Sequence, residues 1–100
     1  MSTEQIIAHV DEIRDLQGAK ASPLWLDAVT FLRGWFSEDV QRQVRAAIAK
    51  DPTDWIVPYH LHWGMGVRNA LREHGFSEQA FGVLNLDNVY VALIEAAVQP

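Results

Sequence analysis

Leu86-Asp87-Asn88-Val89-Tyr90-Val91-Ala92-Leu93-Ile94-Glu95-Ala96-Ala97-Val98 holds the run VYVALI, which decides between a strand and a helix. Leu86, Val89, Tyr90, Leu93, Ile94 and Ala97 recur at three- and four-residue spacing, the apolar face of a helix over 87–98 with Asn85 or Asp87 as its cap. No segment of the chain alternates apolar and polar residues in steps of two for long enough to make a strand. The reading is therefore all-α.

The same signals extend toward the amino end. Ser77 starts a short helix, 78–84, and Pro58 opens a long one, 58–74, that Gly75 stops. Ser37, followed by Glu38 and Asp39, caps a helix over 38–50 whose inward stripe is Val40, Val44, Ala47 and Ile48, with Arg42 and Arg45 toward water. Ser22-Pro23 begins a helix over 23–36 that is apolar around most of its circumference, from Leu24 and Trp25 to Trp35 and Phe36. Ser2 with Gln5 has the spacing of a capping box for a helix over 3–17. Its inward face is expected at Ile6, Val10 and Ile13, widened by Ile7 and Leu16, with Asp15 outside it and Gly18 as its stop. Five or six helices form one domain, 1–100, a compact bundle.

Composition bounds the chemistry. The chain has 100 residues, 49% of them hydrophobic, and no cysteine, so disulfides, thiolate zinc sites and cysteine nucleophiles are excluded. Thirteen acids oppose eight bases. In the second half Asp51, Asp54, Glu73, Glu78, Asp87 and Glu95 face only Arg68 and Arg72, a balance that disfavours nucleic acid. No stretch reads as a signal peptide or a membrane span, and the cytoplasm is the expected compartment. His60 and His62 point apart on a helix, and His9 and His74 lie far along the chain, so no metal site or other cofactor is expected. The serines stand at helix caps and need no catalytic role.

One constellation carries possible chemistry. On a helix, His60, Gly64 and Arg68 share a stripe, with Asn69 beside it, while Gly64 and Gly66 each cost roughly 1 kcal/mol relative to alanine. Close approach of another backbone or a ligand is expected to offset that cost. As a functional site the stripe is an anion-binding notch of His60, Arg68 and Asn69 for a carboxylate or phosphate. As a structural device it is a helix crossing, with Arg68 bonded to a neighbouring acid, for which Asp87 is the expected partner. The structural reading is preferred.

Residues 59–90 resemble a small uncharacterised domain family of bacteria and phages whose helix reads H-x3-G-x2-[IV]-R-N. The matching residues are His60, Gly64, Val67, Arg68 and Asn69, then Phe81, Gly82 and Asp87. The resemblance implies positions and no activity.

Aromatic residues are the second signal. Trp25, Trp35, Phe36, Trp55 and Trp63 exceed what a domain this small buries completely, and Trp55, between prolines 52 and 58, is the one expected to be most exposed. The leading expectation is a non-enzymatic protein-interaction module of adaptor or inhibitor type, binding a protein partner through these aromatics. It is also expected to form a homodimer through the 23–36 helix or the Trp55 loop. The alternative is a small-ligand or enzymatic site at His60, Arg68 and Asn69.

Overall fold

A computed structural model describes residues 2–100, leaving aside the side chains at positions 4, 5, 7 and 8. Six α-helices and two 3-10 turns make up its regular structure, and no strand occurs among the described residues. The helices are α1 (Thr3–Ala21), α2 (Leu24–Trp35), α3 (Glu38–Lys50), α4 (Trp63–Glu73), α5 (Glu78–Phe81) and α6 (Tyr90–Val98), with 3-10 turns at Val57–Tyr59 and Leu86–Asn88. The disputed run is helical. Tyr90, Leu93 and Ile94 have no exposed surface, and α6 forms the axis of the core, with α2 along one side and α3 along another.

Serine hydroxyls cap α3 and α5 as the sequence places them, and at α2 Ser22 bonds from one residue before the cap position, Pro23. Ser22 Oγ accepts from the Leu24 amide at 3.1 Å, Ser37 Oγ from Val40 at 3.1 Å and Ser77 Oγ from Ala80 at 3.2 Å. The far end of α6 is closed from outside. Arg33 Nε donates to the Ala97 carbonyl and Arg45 Nη1 to that of Val98, so Arg45 bonds to the fold rather than facing only water.

Boundaries move where glycine competes with packing. Gly18 does not stop α1, because Ala19 behind it is fully buried and holds the helix to Ala21, where Ser22-Pro23 ends it. Gly82, at φ +73°, caps α5, which ends at Phe81, three residues before the expected limit. The long helix begins at Trp63 instead of Pro58: two glycines weaken its first turn, and Val57–Tyr59 form a 3-10 turn in which Tyr59 N donates to the Ile56 carbonyl. Likewise Leu86–Asn88 form a 3-10 turn capped by the Asn85 side chain, and α6 starts only at Tyr90.

The largest correction concerns α1. Ile6, Val10 and Ile13, expected inward, are 49%, 44% and 45% exposed, while Asp15, expected outside, is only 3% exposed. The cause is Asp15 itself. Its carboxylate accepts the amide hydrogens of Leu84 and Asn85, each at 3.0 Å, and the Asn88 side-chain amide at 2.9 Å. These bonds, with buried Ala19, turn the opposite face of α1 to the core and leave the apolar stripe outward. The Gln5 arm of the capping box and Ile7 lie outside the described side chains.

Two carboxylates tie the carboxyl-terminal third together. Burial alone would raise the pKa of Asp15, but its three donors outweigh this and hold it below the ordinary value. Glu78 receives Arg72 Nη2 at 2.8 Å and Nε at 3.0 Å, together with the Leu86 amide, and its pKa is held down to about 2. Both groups are depressed in the fold, so their stabilisation is present above an unfolded carboxylate pKa of about 4 and is lost as pH falls through the folded values. Urea midpoints are therefore expected to fall between pH 5 and about pH 2. Glu78→Gln is expected to flatten that slope, and salt to reduce the Glu78 share because the Arg72 pair is partly exposed.

Candidate functional site

Four of the residues singled out by sequence meet at the junction of α4 and α6, around one that was read only as core. Tyr90, the first residue of α6, is fully buried. A phenol that buried needs a partner for its hydroxyl, and the Tyr90 Oη meets His60 Nδ1 at 2.5 Å. Arg68 lays its guanidinium over the Tyr90 ring, with Cζ 4.7 Å from the ring centroid. The Arg68 Nε lies 3.0 Å from Asp87 Oδ1, its expected partner. Its Nη1 lies 3.2 Å from His60 Nδ1 and donates to the His60 carbonyl at 3.4 Å. Because the guanidinium can only donate, His60 Nδ1 is the acceptor there, which leaves Nε2 to carry the ring hydrogen toward Asp87 Oδ2, 4.0 Å away.

His60 does not reach Arg68 along a helical stripe, since it precedes α4; the chain turn over residues 60–62 brings it back. Asn69 is not part of the cluster. It is exposed and accepts a hydrogen bond from Arg72 Nη1 at 3.1 Å. A mid-helix neighbour points about 100° away, and that rotation takes Asn69 off the buried face.

The two glycines of α4 separate in role. A Cβ at Gly64 would stand 2.8 Å from Tyr90 Oη and 3.3 Å from both Arg68 Nη1 and the Tyr59 carbonyl. The close approach is thus made by a phenol, a guanidinium and one carbonyl. A Cβ at Gly66 would meet nothing within 4 Å, so no neighbour requires a glycine there.

The cluster is closed electrostatically. Arg68 has a side chain only 7% exposed, yet no buried side-chain nitrogen or oxygen among the described residues lacks a partner. Burial raises the Tyr90 pKa, more than the Arg68 cation lowers it, so the phenol stays protonated at neutral pH. Val67 of the H-x3-G-x2-[IV]-R-N pattern and the two residues matched downstream of it also serve the fold. Val67 and Phe81 are core, and Gly82 takes the left-handed cap.

The aromatic residues form a different arrangement. Trp35 touches Phe36, with ring centroids 5.6 Å apart, and Phe36 stacks on Trp63 at 5.5 Å. Trp63, Trp55 and Tyr59 face Val40, Val44 and Ala47 of α3 across an open groove of about 290 Å³. Four of the five expected interface aromatics are thereby joined; Trp25 lies half-buried on α2, outside the groove. Trp55 reverses the expectation of exposure: it is 3% exposed, because its indole N–H donates to Glu95 Oε1 at 2.9 Å and draws the ring inward as the groove floor. Exposed apolar groups follow it in the chain: Val57, Tyr59, Leu61 and Met65, of which Tyr59 lines the groove. Sequence reading missed Val57, Leu61 and Met65; four large apolar residues, Tyr59 included, within the nine positions 57–65 were the available signal.

The covering of α2 also changes one premise. Ala28, Val29 and Leu32 are buried, chiefly against α6, and only Leu26 and Trp35 of its large apolar residues are exposed. Most of its apolar circumference is thus covered within one chain, and Leu26 and Trp35 remain outward.

Among the described residues no three His, Asp or Glu side chains converge as metal ligands, and no helix is long and apolar enough to cross a membrane. No family model, curated protein or solved structure matches the chain.

Proposed function

We propose that this chain is a protein-interaction module, of adaptor or inhibitor type and without catalysis of its own, that docks an apolar segment of a protein in the groove between α3 and residues 55–63. The carrying observation is an open groove floored by tryptophan and lined by exposed Tyr59, in a stretch of chain that also exposes Val57, Leu61 and Met65. Aromatic anchors with an apolar surround are the composition of binding hot spots. At about 290 Å³ and open to solvent, the groove falls at the lower edge of small-molecule pockets and suits side chains presented by a partner. The alternative anion notch is weakened by the commitment of Arg68 to Asp87, His60 and Tyr90. The cytoplasm suits a chain whose stability uses no disulfide.

A displayed library of random fifteen-residue peptides tests this reading. Selection on the folded protein is expected to enrich peptides with two or three apolar anchors, and Ala47→Arg, which places a cation in the groove, is expected to abolish their binding. Enriched peptides that bind Ala47→Arg as well as the parent, with its melt unchanged, would exclude the groove.

A further inference from the structure

The outward stripe of α1 and the groove of α3 match each other in spacing and in charge. Ile6, Val10 and Ile13 stand at i, i+4 and i+7, and so do Val40, Val44 and Ala47 on the groove wall. At 1.5 Å per residue each row spans about 10 Å. Two such rows can interdigitate as facing helices do.

The charges around the two surfaces are opposite. At about 100° per residue, Arg14 and Lys20 fall within about 80° of the α1 stripe, and Asp11, Glu12 and Asp15 fall on the other half of the helix. Arg14 and Lys20 are both exposed. Exposed Asp51 caps the carboxyl end of α3, and exposed Asp54, whose amide donates to Asp51 Oδ1, immediately precedes Trp55 of the groove, with Lys50 the single base beside them in the chain. Arg42 and Arg45 belong to another face of α3, where they border a separate depression with Glu38 and Gln41. Stripe against stripe would bring two sets of bases together. Stripe against groove brings bases to acids.

We infer that the groove's occupant is α1 of a second copy of this chain, giving head-to-tail association. This rests on the reading of the groove as a docking surface and specifies what docks there. Such a contact is heterologous: each pair keeps one unused stripe and one unused groove, so assembly continues beyond two chains unless it closes into a ring. Salt weakens it, because part of the recognition is between exposed charges.

Sedimentation velocity on the full chain tests the inference. The wild-type mass is expected to exceed 11.3 kDa and to rise with concentration. Val10→Glu destroys the stripe at an exposed position, and Gln43→Arg adds a base at the exposed rim of the groove, so both variants fold. Each alone is expected to be monomeric. Their equimolar mixture is expected to form a one-to-one pair and nothing larger, since one sound stripe and one sound groove remain. A wild type that stays at 11.3 kDa up to near-millimolar concentration overturns the inference. So does association that survives Val10→Glu, or variants that fail to pair when mixed although the wild type associates. A monomeric wild type that still selects groove-dependent peptides removes self-association alone and leaves the groove as a docking site.

Discussion

Replacing Arg68 by alanine is expected to lower the stability of the fold by about 3 kcal/mol, the low end of what breaking a buried ion pair costs. Three losses combine. The guanidinium leaves the face of Tyr90, the His60 carbonyl loses a donor, and a cavity opens beneath α4. The effect stops short of the upper end because Asp87 is partly exposed and water can take over its carboxylate. Arg68→Lys is expected to recover only part of the loss, since a point charge cannot reach the Asp87 carboxylate and the His60 carbonyl together. Urea titration of both variants at neutral pH measures this. A melt unchanged in Arg68→Ala would assign the residue to a ligand, because functional groups are often held at some cost to stability.

The second large effect is at Gly64, with Gly66 as its control two residues away. Alanine gains nearly 1 kcal/mol over glycine in a helix interior. At Gly66, where a methyl meets open space, Gly66→Ala is expected to raise stability by close to that amount. At Gly64 the methyl would stand 2.8 Å from Tyr90 Oη, and the ring has no room to retreat, because it is fully buried and its hydroxyl is bonded to His60. The overpacking cost of about 1–3 kcal/mol then exceeds the helical gain, and Gly64→Ala is expected to destabilise. Thermal melts of the two single variants decide it. Opposite signs are required; stabilisation by both would refute the close approach of Tyr90.

The sequence carried the local signals of this fold better than the orientation of its elements. Caps at Ser22, Ser37 and Ser77, and the apolar spacing of α6, follow from interactions a few residues apart and are read directly. The face of α1 does not. It is decided by Asp15 and backbone amides nearly seventy positions away, and a hydrophobic stripe alone points the wrong way. The Arg68–Asp87 pair was legible because a cation between apolar neighbours must find an acceptor, and few acids stand near. Tyr90 was missed as the hub because periodicity records its ring and ignores its hydroxyl. Trp55 was misplaced for a similar reason: irregular backbone suggested exposure, and one indole hydrogen bond to Glu95 pulled the ring under. Asn69 was included by adjacency in sequence, which on a helix means a different face.

The claim that recognition belongs to the aromatic groove, and that the Arg68 cluster serves the fold, has one direct measurement. It is a nitrogen-15 NMR titration of the side-chain N–H signals of Trp63, Trp55 and Arg68, first with a peptide selected on the groove and then with inorganic phosphate. The expected result is movement of the two indole signals with peptide, and an Arg68 Nε–H signal that neither addition displaces. Movement of Arg68 Nε–H with phosphate, while the indoles stay still with peptide, would contradict it.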